Sequence, residues 1–148
     1  MAKYYQGKFT PKHPHKYVGD VSNIVFRSSW ELNVLRWLDS TPDVLSYASE
    51  EIIVPYYFPA DGRWHRYYPD FLVNVRGKNN TTQVWMVEVK PYSQTLNPAS
   101  KTYTSKRRQL RESMEYAKNQ SKWQAAKAFC AGKNWKFVVL TERDLFRK

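Results

Sequence analysis

The chain has 148 residues, enough for one domain with a real core and too few for two ordinary ones. Hydrophobic residues make up 42% and aromatic residues 16%, which excludes a disordered polyelectrolyte; a single cysteine excludes an internal disulfide framework and an all-cysteine zinc site. The formal net charge of +11 points to a polyanionic partner.

That charge is segregated. Residues 97–148 hold 13 Lys/Arg against 4 Asp/Glu, whereas residues 1–96 hold 11 against 9. A solvated basic surface with no partner is the plain alternative, but segregation favours nucleic acid. No apolar run has the length of a signal peptide or a bilayer span, so no membrane role is expected, and a reducing cytoplasm suits the free thiol.

In chain order, residues 1–24 read as an irregular basic arm, with four lysines and no acid in the first 16. Trp30, Val34, Trp37 and Leu38 then repeat at helical spacing, with Ser28 and Glu31 as a capping box and Pro42 just past the end. A β-rich stretch follows: 51–58, a turn at 59–62, 63–68, 71–75, a turn at 77–80 and 83–90, read as an antiparallel meander. After a Pro/Ser/Asn loop at 91–100 come a basic helix over about 104–118 and a shorter one over 122–131, capped by Ser121 and stopped at Gly132. An apolar strand at 135–140 and a last helical turn at 141–144 close the chain. The order predicts an α/β fold, a mixed β-sheet flanked by helices.

The chemistry is concentrated in Tyr68-Pro69-Asp70 and, after 17 intervening residues, Glu88-Val89-Lys90. Side chains alternate along a strand, so Glu88 and Lys90 share a face while Val87 and Val89 take the other. Charges at the end of an apolar strand are costly unless solvated, paired or used. If the preceding strand runs antiparallel, Asp70 comes close to Glu88. Hard carboxylate oxygens suit Mg²⁺, with Mn²⁺ able to substitute, and the carbonyl of Val89 offers a further ligand beside Asp70 and Glu88. Such an ion activates water, and a neighbouring lysine, Lys90, can position that water or offset charge on a phosphate. The plain readings are a turn residue for Asp70 and a surface ion pair for Glu88 and Lys90. Their joint arrival in this order weakens both.

Lys101, Lys106, Arg107, Arg108 and Arg111 follow as candidate phosphate contacts, with Gln109 a candidate to reach the site from the same helix. His13, His15, His65 and Cys130 lack zinc-ligand spacing. Trp30, Trp37, Trp85, Trp123 and Trp135 read as core, and Trp64, near a hairpin tip, as a residue able to stack on a base. No glycine-rich phosphate loop is present, so no ATP use is expected.

These residues resemble the motif of the PD-(D/E)xK nuclease superfamily, which stands here as Pro69-Asp70 and Glu88-Val89-Lys90. Glu31 falls where that superfamily takes a further acid from the helix before the meander, although its capping-box position alone explains it. The runs Phe26 to Glu31, Tyr67 to Phe71, Val87 to Pro91 and Trp135 to Glu142 are similar to TnsA-type transposon endonucleases and, more so, to the head-completion nucleases of large contractile-tailed phages. TnsA-like enzymes often carry glutamine where Glu88 stands. The similarity runs from about Gly19 to Leu145 and implies a restriction-endonuclease-like fold, with residues 25–148 as one nuclease domain. It further implies that Glu31 orients a water on the metal or binds a second ion. The expected substrate is double-stranded DNA, trimmed or protected at packaged ends during head completion. Portal or neck proteins and a second copy of the chain are the expected partners, and the host cytoplasm during assembly, or the virion, the place of work. Two rival readings are a non-catalytic structural DNA-binding head-completion protein and a transposon-end endonuclease.

Overall fold

Period-two alternation in the strands decides which side chains face which layer. In the computed structural model, which describes residues 4–145, a four-stranded sheet carries the site. Its strands are β3 (Val44–Ser49), β6 (Phe71–Arg76), β7 (Thr82–Val89) and β8 (Lys136–Leu140), in that spatial order. β3, β6 and β7 pair antiparallel, and β8 joins β7 parallel. From β6 and β7, Phe71, Val73 and Val87 point to one core, and Met86 to the other.

Helix α1 (Ser29–Ser40) covers the first face, burying Val34, Leu35 and Leu38 against Val44, Tyr47 and Phe71. Ser28, extended, opens it as expected: its Oγ accepts from the Glu31 amide at 3.1 Å, satisfying one of the orphan donors of the first turn. Helix α2 (Lys106–Gly132) covers the second face through Trp123, Ala126 and Cys130. The hairpin of β4 (Val54–Phe58) and β5 (Arg63–Tyr67) packs beside it, its inward residues Val54, Tyr56, Phe58 and Tyr67 joining that core. A short helix, α3 (Glu142–Leu145), follows β8. Two covered faces of a mixed sheet make this an α/β fold of restriction-endonuclease-like form.

Four local expectations change. The first 24 residues, read as an irregular arm, contain β1 (Tyr4–Lys8), antiparallel to β2 (Val25–Ser28), and they contribute Tyr17 and Ile24 to the first core. What fastens them is polar: Lys16 Nζ donates to the carbonyls of Leu38, Asp39 and Thr41 at 2.8, 3.0 and 2.9 Å, occupying acceptors that the end of α1 leaves open. The Asp39 carboxylate accepts from the amides of Lys12 and His13 and from the Tyr47 hydroxyl. Second, the meander is not one sheet. The β4–β5 hairpin is an excursion between β3 and β6, which are neighbours, and β3 was not foreseen. Third, α2 runs unbroken through Ser121, because burial of Asn119, Trp123 and Ala126 on one side outweighs the weak helix propensity of the Asn-Gln-Ser stretch. Fourth, Trp37 is exposed; it flanks an apolar groove whose lining includes Val75, Trp85 and Leu140.

Candidate active site

Asp70 and Glu88 meet because β6 and β7 are the two central strands. Phe71 pairs with Val87, and one step further the antiparallel register sets Asp70 opposite Glu88. Pro69, fully buried, fixes the chain entering β6 and offers no amide that would need a partner. The Asp70 carboxylate accepts from the Val89 amide at 2.7 Å, and its backbone carbonyl accepts from the Glu50 amide at 3.1 Å. Glu50 sits at φ 56°, a left-handed conformation unusual for a side-chain-bearing residue, at the point where the chain leaves β3 for the hairpin.

Glu88 is only 6% exposed. Its Oε1 accepts from the Tyr67 hydroxyl at 2.9 Å, and its Oε2 lies 3.7 Å from Lys90 Nζ. Lys90 follows β7, its amide donating to the Leu140 carbonyl at 2.9 Å, and its ammonium remains partly solvated. The predicted same-face relation of Glu88 and Lys90 is therefore present.

The electrostatics follow from crowding. Burial, then the Glu88 charge, then that of Glu31, hold the Asp70 carboxyl well above the usual carboxylate range. Glu88 is also raised by burial, opposed by the Lys90 charge and by the Tyr67 hydrogen bond. Two such groups in one low-dielectric volume cannot both ionise cheaply without added positive charge. Hard oxygen donors short of a cation are what a divalent ion fits. Among the described residues no three carboxylate, imidazole or thiol groups form a ready-made cage. The fit is to a site made of Asp70, Glu88 and backbone. The Val89 amide steadies Asp70, a role separate from the one expected of its carbonyl.

Glu31 lies within electrostatic reach of Asp70, and burial raises its own carboxyl. Ser28 Oγ also donates to its Oε2 at 3.2 Å, so the cap that accepts from the Glu31 amide engages the Glu31 carboxylate as well. Arg27 pairs with Glu50 and feels the charges of Glu31 and Asp70.

Lys122 was missed in the sequence. It is half-buried on α2, its Nζ 5.7 Å from the centre of the Tyr67 ring. Burial and the positive charge of Lys90 lower its pKa, and Glu88 acts the other way. A second cation thus lies within electrostatic reach of Glu88, from the helix facing the sheet. Gln109 is exposed, thirteen positions before Lys122 on the same helix, or ~20 Å along its axis. Among the residues expected to hold phosphates, Lys106, Arg107 and Arg111 are exposed on the first turns of α2, ~16–24 Å along the axis from Lys122. Arg108 Nε bonds Glu112 at 2.8 Å, and Lys101 Nζ bonds the Ser93 carbonyl at 2.7 Å with Glu112 at 3.7 Å, so both are partly engaged. The basic group flanks the carboxylates and does not enter them.

Residues 41–142 match the family described as TnsA-like endonuclease N terminal. The chain is also 35% identical over 144 residues to the head completion nuclease of Enterobacteria phage T4, a match covering 95% of this chain and 93% of the phage protein.

Proposed function

Because the chain belongs to the TnsA-like endonuclease family, within the PD-(D/E)xK superfamily, we propose that it is a Mg²⁺-dependent nuclease that hydrolyses phosphodiester bonds of double-stranded DNA during phage head completion. One observation carries the chemistry: Asp70 and Glu88 stand opposite each other in the β6–β7 register, with Lys90 Nζ 3.7 Å from Glu88, at the end of the central strands and partly open to solvent through Lys90. The head-completion role rests on the named phage relative, whose length the chain nearly spans. On this reading the enzyme works in the infected host's cytoplasm on packaged DNA ends, with portal or neck proteins and a second copy of the chain as candidate partners.

Asp70, Glu88 and the Val89 backbone would hold Mg²⁺, with Mn²⁺ as a substitute. When bound, the ion supplies Lewis acidity and lowers the pKa of water. The chain's own groups do the rest. Tyr67 holds one oxygen of Glu88 and so fixes the direction of the other. Lys90 orients the attacking water and offsets negative charge gathering on the phosphate. Glu31 accepts a hydrogen bond from a water at the rim of the site. Water oxygen bonds to phosphorus as the ester P–O bond breaks, and the departing oxygen takes a proton. Lys106, Arg107 and Arg111 hold the backbone further along, with Lys101 and Arg108 joining when phosphate displaces Glu112.

Plasmid cleavage with Mg²⁺ or Mn²⁺ tests this. Wild-type protein nicks DNA only with the ion. Asp70→Ala and Lys90→Ala lose roughly 10²-fold or more in rate while still binding DNA. Binding without cutting under either ion would instead make the chain a structural DNA-binding component.

A further inference from the structure

The β4–β5 hairpin has two unlike faces. Its inward side chains are buried against α2, whereas the register Pro55↔Arg66 and Tyr57↔Trp64 puts Pro55, Tyr57, Trp64 and Arg66 together on the outward face. Ile53 and Tyr68 continue it. Trp64 is 71% exposed, and its ring lies 5.6 Å from that of Tyr57, set edge-on at 65°. Tyr57 and Tyr68 are about half exposed, and Arg66 is exposed beside them. Three aromatic rings in water are an unusual surface for a nuclease to keep on a hairpin whose other side is firmly packed.

The occupant can be read from charge and position. The only charged side chain among these six residues is Arg66, and no carboxylate lies among them. The nearby acid, Asp61, is bonded to His65 at 2.7 Å. Aromatic rings beside a guanidinium suit bases and their phosphates. The strip also leads into the site: Tyr68 is followed directly by Pro69 and Asp70. From Trp64 to Tyr68 an extended strand covers ~13 Å, about the height of four stacked bases.

We propose that the outward face of this hairpin is a stacking platform for unpaired nucleotides, which leads single-stranded or frayed DNA ends towards Asp70 and Glu88. The idea rests on the nuclease reading for its destination, but binding tests it separately. Full-length protein in EDTA, where no cleavage is expected, is titrated against one labelled duplex carrying either a blunt end or a six-nucleotide single-stranded overhang. Wild-type protein binds the overhang more tightly. Trp64→Ala weakens overhang binding by about tenfold or more, bringing the ratio towards one, and Trp64→Phe keeps most of the preference. The salt slope stays the same, since stacking releases no counterions, while Arg66→Ala flattens it. Trp64 is exposed enough that its loss leaves the fold intact, checked by an unchanged thermal melt. No wild-type preference, or a Trp64→Ala protein that keeps it, overturns the platform and leaves this face to a protein partner. If wild type shows the preference yet never cuts plasmid with Mg²⁺ or Mn²⁺, the nuclease reading fails and the platform stands.

Discussion

Lys122 is the residue whose removal says most about the centre. Over the Tyr67 ring and within the field of Glu88 and Lys90, it adds a second positive charge near the proposed centre. Lys122→Gln is expected to lower kcat by about 10²-fold with little change in KM, and Lys122→Arg to recover part of the loss. A raised KM with unchanged kcat would mark it instead as a backbone contact. Asp70, Glu88 and Lys90 were legible because strand parity and a Pro-Asp step are local properties of sequence. Lys122 was not. Reading a helix break at Ser121 made it the first residue of a separate helix, and nothing local tells which of the chain's lysines crosses to the sheet. Tyr67 and Glu50 were missed for a related reason: their partners lie 21 and 20 positions away, and hydrogen bonds of that range follow from topology.

Among the elements, α1 was the best read. Its periodicity, capping box and stop near Pro42 are all local, and the helix runs Ser29–Ser40. What sequence did not reveal is that its C-terminus is closed by a lysine 22 residues upstream. Lys16→Ala leaves three buried or part-buried carbonyls short of a donor and should cost about 1–3 kcal/mol, read from urea unfolding with an unchanged m-value. A negligible loss would mean that water replaces the ammonium. The same bonds explain why basic composition misled about the first 24 residues. The ammonium of Lys16 is spent inside the protein, and its aromatic neighbour Tyr17 packs in the core. Strand β3 was overlooked because Ser46 and Ser49 interrupt its apolar pattern, and its pairing with β6 supplies what propensity does not. The parallel pairing of β8 likewise depends on α2 crossing over the sheet, which no hydrophobic pattern encodes.

At the scale of the whole molecule, the carboxylate pair sets function against stability. Asp70 and Glu88 have raised pKa values in the fold, so the folded chain holds more protons there than the unfolded chain. Their contribution to stability is present at acid pH and is lost as pH rises from the ordinary carboxylate range through the raised values. Metal-free Asp70→Asn should therefore melt above wild type at neutral pH, with the gap closing near about pH 4. Mg²⁺ should raise the wild-type Tm and move the variant's far less. Equal melting at every pH would show that the pair is not strained. The overall α/β layering was legible because the helical and strand periods are distinct; the placement of the hairpin was not, since a meander and an excursion share one local pattern. That excursion has a further consequence. The chain leaves the sheet after Ser49 and returns at Phe71, and these two residues face each other across one rung. The hairpin is thus a loop with adjoining ends, a graft site in the sheet. Its outward strip can be exchanged for one suited to another substrate, provided Val54, Tyr56, Phe58 and Tyr67 stay to seat it on α2. Catalysis and substrate choice can then diverge independently around one sheet.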